Sequence, residues 1–209
     1  MTDSSPPASD SNLLTILTTE HFVLQTARGG TISEANGRAS IYLGAVSSGL
    51  IALGFVADDS ERFALFAAAV LPAILVLGWF TFVRLVQTGV ESMRYLTRIQ
   101  RIRHWYATQS PAGPAWFTDV AELDEDPDEA AAAVRSMGMR PSSWQMLYTT
   151  ASMVGALNSL ILGVACSLAV RGADLLALPW AAGLGAVLAL AALAGHVGLE
   201  HREFARGVG

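Results

Sequence analysis

Residues Leu147–Val170 read LYTTASMVGALNSLILGVACSLAV, and this run contains no charged side chain. At a rise of about 1.5 Å per residue, a helix of this length covers the roughly 30 Å of hydrocarbon in a bilayer. Three further runs have the same apolar character: Ala39–Val56, Phe63–Val83 and Leu175–Leu199. The sequence therefore predicts an all-α integral membrane protein with four transmembrane helices, arranged as two helical hairpins.

The composition supports this prediction. Apolar residues make up 52% of the chain and charged residues 15%, whereas soluble domains carry about 25% charge. The missing charge is missing from the four runs, so the bias is local and disfavours the alternative of a soluble helical bundle. The single cysteine, Cys166, lies inside one of these runs, which excludes an intrachain disulfide and a cysteine-based metal cluster.

The arginines indicate how the spans are oriented. All 13 basic residues are arginine, and only Arg62 and Arg171 lie in the short connections between paired spans. The others flank the spans on the opposite side, and cationic loops remain cytoplasmic. We therefore expect a multi-pass protein of a bacterial inner membrane with both termini in the cytoplasm. The predicted segments are a disordered tail (1–12), an amphipathic cytoplasmic helix and lead-in (13–38), the first transmembrane hairpin (39–83), a cytoplasmic basic helix and acidic loop (84–146), the second hairpin (147–199) and a cytoplasmic tail (200–209).

A first cytoplasmic helix is predicted over Leu13–Arg28, where leucines recur on one face. Gly29-Gly30 is expected to end this helix, because glycine disfavours helical backbone. Thr31 and Glu34 have the spacing of a capping box, so a new helix is expected to begin there and to run into the first span.

A second cytoplasmic helix is predicted over Glu91–Ala107, as an extension of the second span. Its apolar and aromatic positions recur at helical spacing: Tyr95, Ile99, Ile102 and Tyr106. Basic residues follow an adjoining face and form our candidate interaction surface for anionic lipid headgroups or a cytoplasmic protein partner: Arg94, Arg98, Arg101 and Arg103. With a short third helix over Pro127–Met137, these helices form the predicted helical cytoplasmic layer.

An acidic block occupies Asp119–Glu129. It lacks the ligand periodicity and central glycine of an EF-hand. We interpret it as a solvated loop or as a partner for the basic stripe of Glu91–Ala107, in preference to a divalent-cation site.

Small residues recur every four positions on two of the predicted spans. The first span carries Ser40, Gly44 and Ser48, and the third carries Ala151, Gly155, Ser159, Gly163 and Ser167. Such faces let membrane helices approach closely. They predict helix packing within the chain, or packing between protomers of a homo-oligomer.

Four polar residues lie near the predicted bilayer midplane: Ser47, Ser48, Asn158 and Ser159. They could line a pore constriction. Interhelical hydrogen bonding is the interpretation we favour, since a conduction path is usually lined by more polar or charged groups.

His196 and Glu200 are four residues apart at the end of the fourth span. An imidazole beside a carboxylate could relay protons or sense pH; a solvated helix end is the alternative we favour. Arg84, one residue past the second span, is expected to reach toward lipid headgroups.

No motif indicates an enzyme, because the sequence lacks a glycine-rich phosphate loop, a nucleophile elbow and an HExxH pair. We expect no catalysis, no cofactor and no nucleic-acid partner. The first functional hypothesis is a non-enzymatic membrane module that responds to a partner, a lipid or a signal. The second is a self-assembling ion channel or pore. The four-span layout resembles membrane effectors of bacterial nucleotide-signalled defence, and such an effector belongs to the second hypothesis.

Overall fold

A computed structural model describes residues 8–117 and 149–208, and every regular element within them is an α-helix. These helices are α1 (Ala8–Phe55), α2 (Ser60–Thr108), α3 (Gly113–Trp116), α4 (Thr150–Gly172) and α5 (Leu178–Val208). Four of them, α1, α2, α4 and α5, are long and apolar enough to cross a membrane. The all-helical class and the number of candidate spans agree with the sequence prediction.

The four long helices form two hairpins with short turns, as predicted. Asp59 caps the start of α2, because its Oδ1 accepts hydrogen bonds from the backbone N–H groups of Glu61 and Arg62, both at 3.1 Å. The second turn contains Asp174 at a φ of 53°. Aspartate is one of the few residues with a side chain that adopt this left-handed conformation readily.

The predicted helix break at Gly29-Gly30 is wrong, because α1 passes through both glycines without interruption. Thr31 does not cap a new helix; its hydroxyl donates to the Arg28 carbonyl at 2.7 Å, as in a helix interior. Each glycine costs about 1 kcal/mol relative to alanine in a helix. Packing on both sides offsets this cost, since Leu24 and Tyr42 are each buried against other helices.

Two compact units make up the described chain. The first, which we call the amphipathic unit, comprises residues 8–32 and 89–117. Leu24 packs there against Ile99 and Ile102, as the periodicity of Glu91–Ala107 predicts. The Arg98 side chain of the same helix is exposed. The unit therefore has a small apolar core and an exposed arginine, while apolar side chains of α1 such as Ile16 and Phe22 are exposed as well.

The second unit, which we call the four-helix unit, comprises residues 33–88 and 149–207. Its core centres on Tyr42, Phe82 and Val154. The inward face of α1 is a seam of residues at spacings of three and four: Ala39, Tyr42, Val46, Gly49 and Leu53.

The surface of the four-helix unit carries many large apolar side chains, although its core is apolar too. Large apolar side chains face outward, among them Phe55 at 86% exposure and Leu65 at 74%. Polar side chains lie inside, including Asn158, His196 and Glu200. Soluble proteins rarely bury charged groups and rarely expose large contiguous apolar surfaces.

Two predicted features lie outside the described residues. These are the acidic block Asp119–Glu129 and the short helix Pro127–Met137. The predicted boundaries at the two ends of the chain also differ from the structure: α1 begins at Ala8 rather than at Leu13, and α5 continues past Leu199 to Val208.

Candidate functional site: a buried polar cluster in the four-helix unit

Glu200 is the most deeply buried charged residue of the described chain, with 1% of its surface exposed. Its Oε1 accepts a hydrogen bond from the Thr149 hydroxyl at 2.7 Å, and its Oε2 accepts one from the Ser152 hydroxyl at 2.6 Å. Thr149 is also the N-cap of α4, where its Oγ1 accepts from the Ser152 N–H at 3.0 Å. The carboxylate therefore lies at the positive end of the α4 dipole, which stabilises its negative charge.

His196 lies one turn before Glu200 on α5 and is 7% exposed. Its Nδ1 is 2.8 Å from the carbonyl oxygen of Ala192 and 3.1 Å from the Ser159 hydroxyl. A carbonyl can only accept, so the hydrogen-bond network assigns the proton of the neutral ring to Nδ1. The Ser159 hydroxyl donates to the Gly155 carbonyl at 2.7 Å. His196 Nε2 is buried and has no hydrogen-bond partner among residues 8–117 and 149–208.

Aromatic rings enclose the imidazole. The centroids of His196 and Phe82 are 4.5 Å apart with the planes at 89°, and Trp79 lies edge-on at 5.7 Å. Gly155 makes room for this contact. A Cβ at that position would lie 3.2 Å from both the His196 Cβ and the Phe82 ring.

Asn158 forms a second polar contact in the same unit. Its Oδ1 accepts a long hydrogen bond of 3.4 Å from the Tyr42 hydroxyl, and its Nδ2 donates to the Leu75 carbonyl at the same distance. Gly78 is opposite the amide, where a Cβ would overlap the Asn158 side chain. The amide therefore joins α4 to α1 and α2.

The two small-residue faces have different surroundings. On α4, Ala151, Gly155, Ser159 and Gly163 are buried and Ser167 is half-buried. Gly163 lies against the backbone of Gly185, and the Ser167 hydroxyl donates to the Ala181 carbonyl at 2.9 Å. This face lines the contact between α4 and α5.

On α1, by contrast, Ser40, Gly44 and Ser48 face outward, and nothing lies within 4 Å of a Cβ built at Gly44. The four candidate midplane residues are consequently not brought together. Asn158 and Ser159 are inside the unit, whereas Ser47 and Ser48 are on its surface. The reason is that the larger residues Tyr42 and Val46 form the buried face of α1.

Arg84 pairs within the chain, contrary to the prediction that it reaches toward headgroups. Its Nε and Nη2 donate to the two carboxylate oxygens of Glu34 at 2.9 and 3.2 Å. The Arg38 Nε donates to Glu34 at 2.8 Å. The hydrogen bond from Arg84, followed by that from Arg38, lowers the pKa of Glu34, which precedes the predicted first span.

The predicted basic stripe lies on the surface of the amphipathic unit. Arg94, Arg98 and Arg101 are exposed on α2, while Arg103 is half-buried and donates to the Gln100 side chain at 3.2 Å. The stripe is therefore three exposed arginines with a fourth directed along the helix.

His21 of α1 and Tyr106 of α2 are half-buried in the same unit. The rings of His21 and Tyr106 are 6.0 Å apart. Burial lowers the pKa of His21, and the nearby positive charge of Arg103 lowers it further.

The sequence places His196 and Glu200 on one helix face, but the favoured interpretation of a solvated helix end is wrong, because both side chains are buried. The partners of the pair were also missed. The residues that hold the carboxylate, Thr149 and Ser152, come from a helix start 51 and 48 positions away. Only the N-cap preference of threonine could have indicated one of them. No protein-family model, no curated protein and no solved structure matches this chain.

Proposed function

We propose that this protein is a non-enzymatic, multi-pass protein of the bacterial inner membrane that responds to a partner, a lipid or a signal through its amphipathic unit. The apolar surface of the four-helix unit carries this proposal. Keeping a leucine or phenylalanine side chain in water instead of burying it forgoes about 1.5–3 kcal/mol. Side chains such as Phe55 and Leu65 lose nothing of this kind in a bilayer, because the surrounding solvent is itself apolar.

The arginine distribution supports the orientation. Arg62 and Arg171 lie at the two short turns of the hairpins. The remaining arginines precede the first span, follow the second or follow the fourth. The proposal therefore places both termini, and the chain between the two hairpins, in the cytoplasm.

The amphipathic unit supports a binding role. Its α2 segment is amphipathic, with Ile99 and Ile102 buried and the arginines exposed. Guanidinium groups bind carboxylates and phosphates bidentately. Its proposed ligands are anionic lipid headgroups or an acidic protein surface, and both would contact Arg94, Arg98 and Arg101.

Topology reporters test the membrane proposal. A reporter that works only in the cytoplasm should be active when fused after Gly209 and inactive when inserted at Asp58–Ser60. A reporter that works only in the periplasm should be active at Asp58–Ser60. The opposite pattern at both sites would contradict the proposed orientation.

Vesicle binding tests the role of the arginines. Full-length protein in nanodiscs of neutral lipid should bind anionic vesicles, and replacing Arg94, Arg98 and Arg101 with glutamine should weaken this binding by about 1 kcal/mol per residue. Added salt should reduce the difference. The matched control replaces Arg62 and Arg171, in the turns, with glutamine. An equal loss in the control would contradict a specific role for the α2 face.

The second candidate function is a self-assembling pore. It is favoured by the outward position of Ser47 and Ser48 beside the uncovered Gly44 on α1. Several protomers that met through α1 could surround a path lined by these hydroxyls. Mass determination in detergent and bilayer recordings test this candidate, which requires an oligomer and a conductance that Ser47→Leu changes.

A further inference from the structure

His196 has a nitrogen whose hydrogen-bonding capacity the surrounding residues do not use. We propose that His196 Nε2 is a proton-binding site inside the four-helix unit, with the Glu200 carboxylate, one helical turn away, as its counter-charge. This inference concerns the interior of the unit and does not depend on what the arginines of α2 bind.

The hydrogen bonds of the ring define the site. Nδ1 is committed as a donor, because its partner at 2.8 Å is the carbonyl oxygen of Ala192. The lone pair of the neutral ring is then on Nε2. This atom is shielded from solvent, and no donor lies within hydrogen-bond distance of it in the part of the chain that the structure describes. The unused lone pair can accept a proton without a cavity for a larger ligand; burial opposes the charge, so the site needs a counter-charge nearby.

The charges around the ring favour Glu200 as the counter-ion. The hydrogen bonds to its carboxylate come from two uncharged hydroxyls, of Thr149 and Ser152. A proton on His196 supplies a positive charge one turn away, on the same helix face.

Among the described residues, the segments of the other helices that contact His196 contain no carboxylate. The segment of α4 from Thr150 to Ser167 contains hydroxyls, one amide and the Cys166 thiol, but no charged residue. On α2, Trp79 and Phe82 contact the ring, and Arg84 is held by Glu34 of α1. The Tyr42 phenol of α1 is directed at Asn158.

The aromatic contacts make the site observable. Phe82 and Trp79 both contact the imidazole, with ring centroids 4.5 and 5.7 Å from its own. A protonated imidazole also quenches the fluorescence of an adjacent indole more strongly than a neutral one does. Trp79, with its ring centroid 5.7 Å from that of His196, is therefore a built-in reporter of the proton.

Nitrogen NMR of the full-length protein in detergent, with ¹⁵N-labelled histidine rings, is the first test. The His196 signal is the one that disappears in His196→Gln, with His201→Gln as the control for an exposed neighbour. At alkaline pH we expect the Nδ1–H tautomer, and on acidification both nitrogens should become protonated while the protein stays folded. The opposite tautomer, or a ring that stays neutral until the protein unfolds, would overturn the proposal.

Fluorescence of a variant that keeps only Trp79 is the second test, made by replacing the other tryptophans with phenylalanine: Trp105, Trp116, Trp144 and Trp180. Acidification should quench Trp79 reversibly. The quench should be lost in His196→Gln and kept in His201→Gln. Glu200→Gln should weaken the quench, because the counter-charge is gone. A quench that persists in His196→Gln would overturn the proposal.

The tests remain decisive if His196→Gln does not fold. The wild-type His196 signal can then be assigned by eliminating the signals of the other three histidines, through His21→Gln, His104→Gln and His201→Gln. The wild-type tautomer and its protonation then decide the outcome alone.

Discussion

Adding one methyl group at Gly163 should weaken the contact between α4 and α5. A Cβ there would overlap the carbonyl group of Gly185 and lie 2.9 Å from the Ala189 Cβ. A backbone carbonyl cannot rotate away as a side chain can, so the helices must separate. Overpacking of this kind costs about 1–3 kcal/mol. Gly44→Ala is the matched control, because nothing lies within 4 Å of the added methyl.

Both substitutions remove a glycine from a helix, which by itself stabilises by about 0.5–1 kcal/mol. The difference between the two variants therefore isolates the steric cost. At roughly 2–4 °C per kcal/mol for a chain of this size, Gly163→Ala should melt about 6 °C below Gly44→Ala. Thermal unfolding in detergent, followed by tryptophan fluorescence, measures this difference. Equal melting temperatures, or a larger loss in Gly44→Ala, would refute the assignment of the α4 face as the contact surface.

Three further predictions concern polar contacts. Because Arg84 lowers the pKa of Glu34, this carboxylate stabilises the fold above its ordinary pKa, and the contribution is lost as the pH falls below about 4.5. Arg84→Gln should therefore flatten the pH dependence of the melting temperature in this range. An unchanged slope would contradict the pairing. Ser152→Ala should lower stability by about 1–3 kcal/mol in chemical denaturation, because it removes a donor from the buried Glu200 carboxylate; a neutral effect would show that the carboxylate does not need this hydroxyl. Asn158→Leu should cost on the order of 1 kcal/mol or less, as interhelical hydrogen bonds in membranes do, and should leave ion flux across proteoliposomes unchanged; abolished flux would favour the pore.

The helical framework was predictable because hydrophobicity and charge are local properties of the chain. Runs such as Leu147–Val170 identify a candidate span by themselves, and the periodicity of Ile99 and Ile102 identifies a buried face. The predicted break at Gly29-Gly30 is wrong because it rests on the low helix propensity of glycine alone. Packing on either side of the two glycines outweighs their cost, and a sequence read residue by residue does not contain that packing.

The candidate site was predictable only in part. The spacing of His196 and Glu200 places them on one face of any helix, so that pair was visible. Their burial was not, because it depends on Thr149 and Ser152, which are distant in sequence. The two small-residue stripes looked equivalent for the same reason. Which stripe faces a neighbour depends on the position of larger residues such as Tyr42, and that position is a tertiary property.

The central claim is that the outward face of the four-helix unit lies in lipid. Spin-label accessibility tests this claim most directly. In a Cys166→Ser background reconstituted into lipid, labels are attached through Leu190→Cys, at an outward position of α5, and through Arg98→Cys, on the α2 face. The account predicts that the label at position 190 is accessible to apolar oxygen and shielded from a water-soluble nickel complex, and that the label at position 98 shows the reverse. Nickel accessibility at position 190 equal to that at position 98 would contradict the claim that the outward face of this unit lies in lipid.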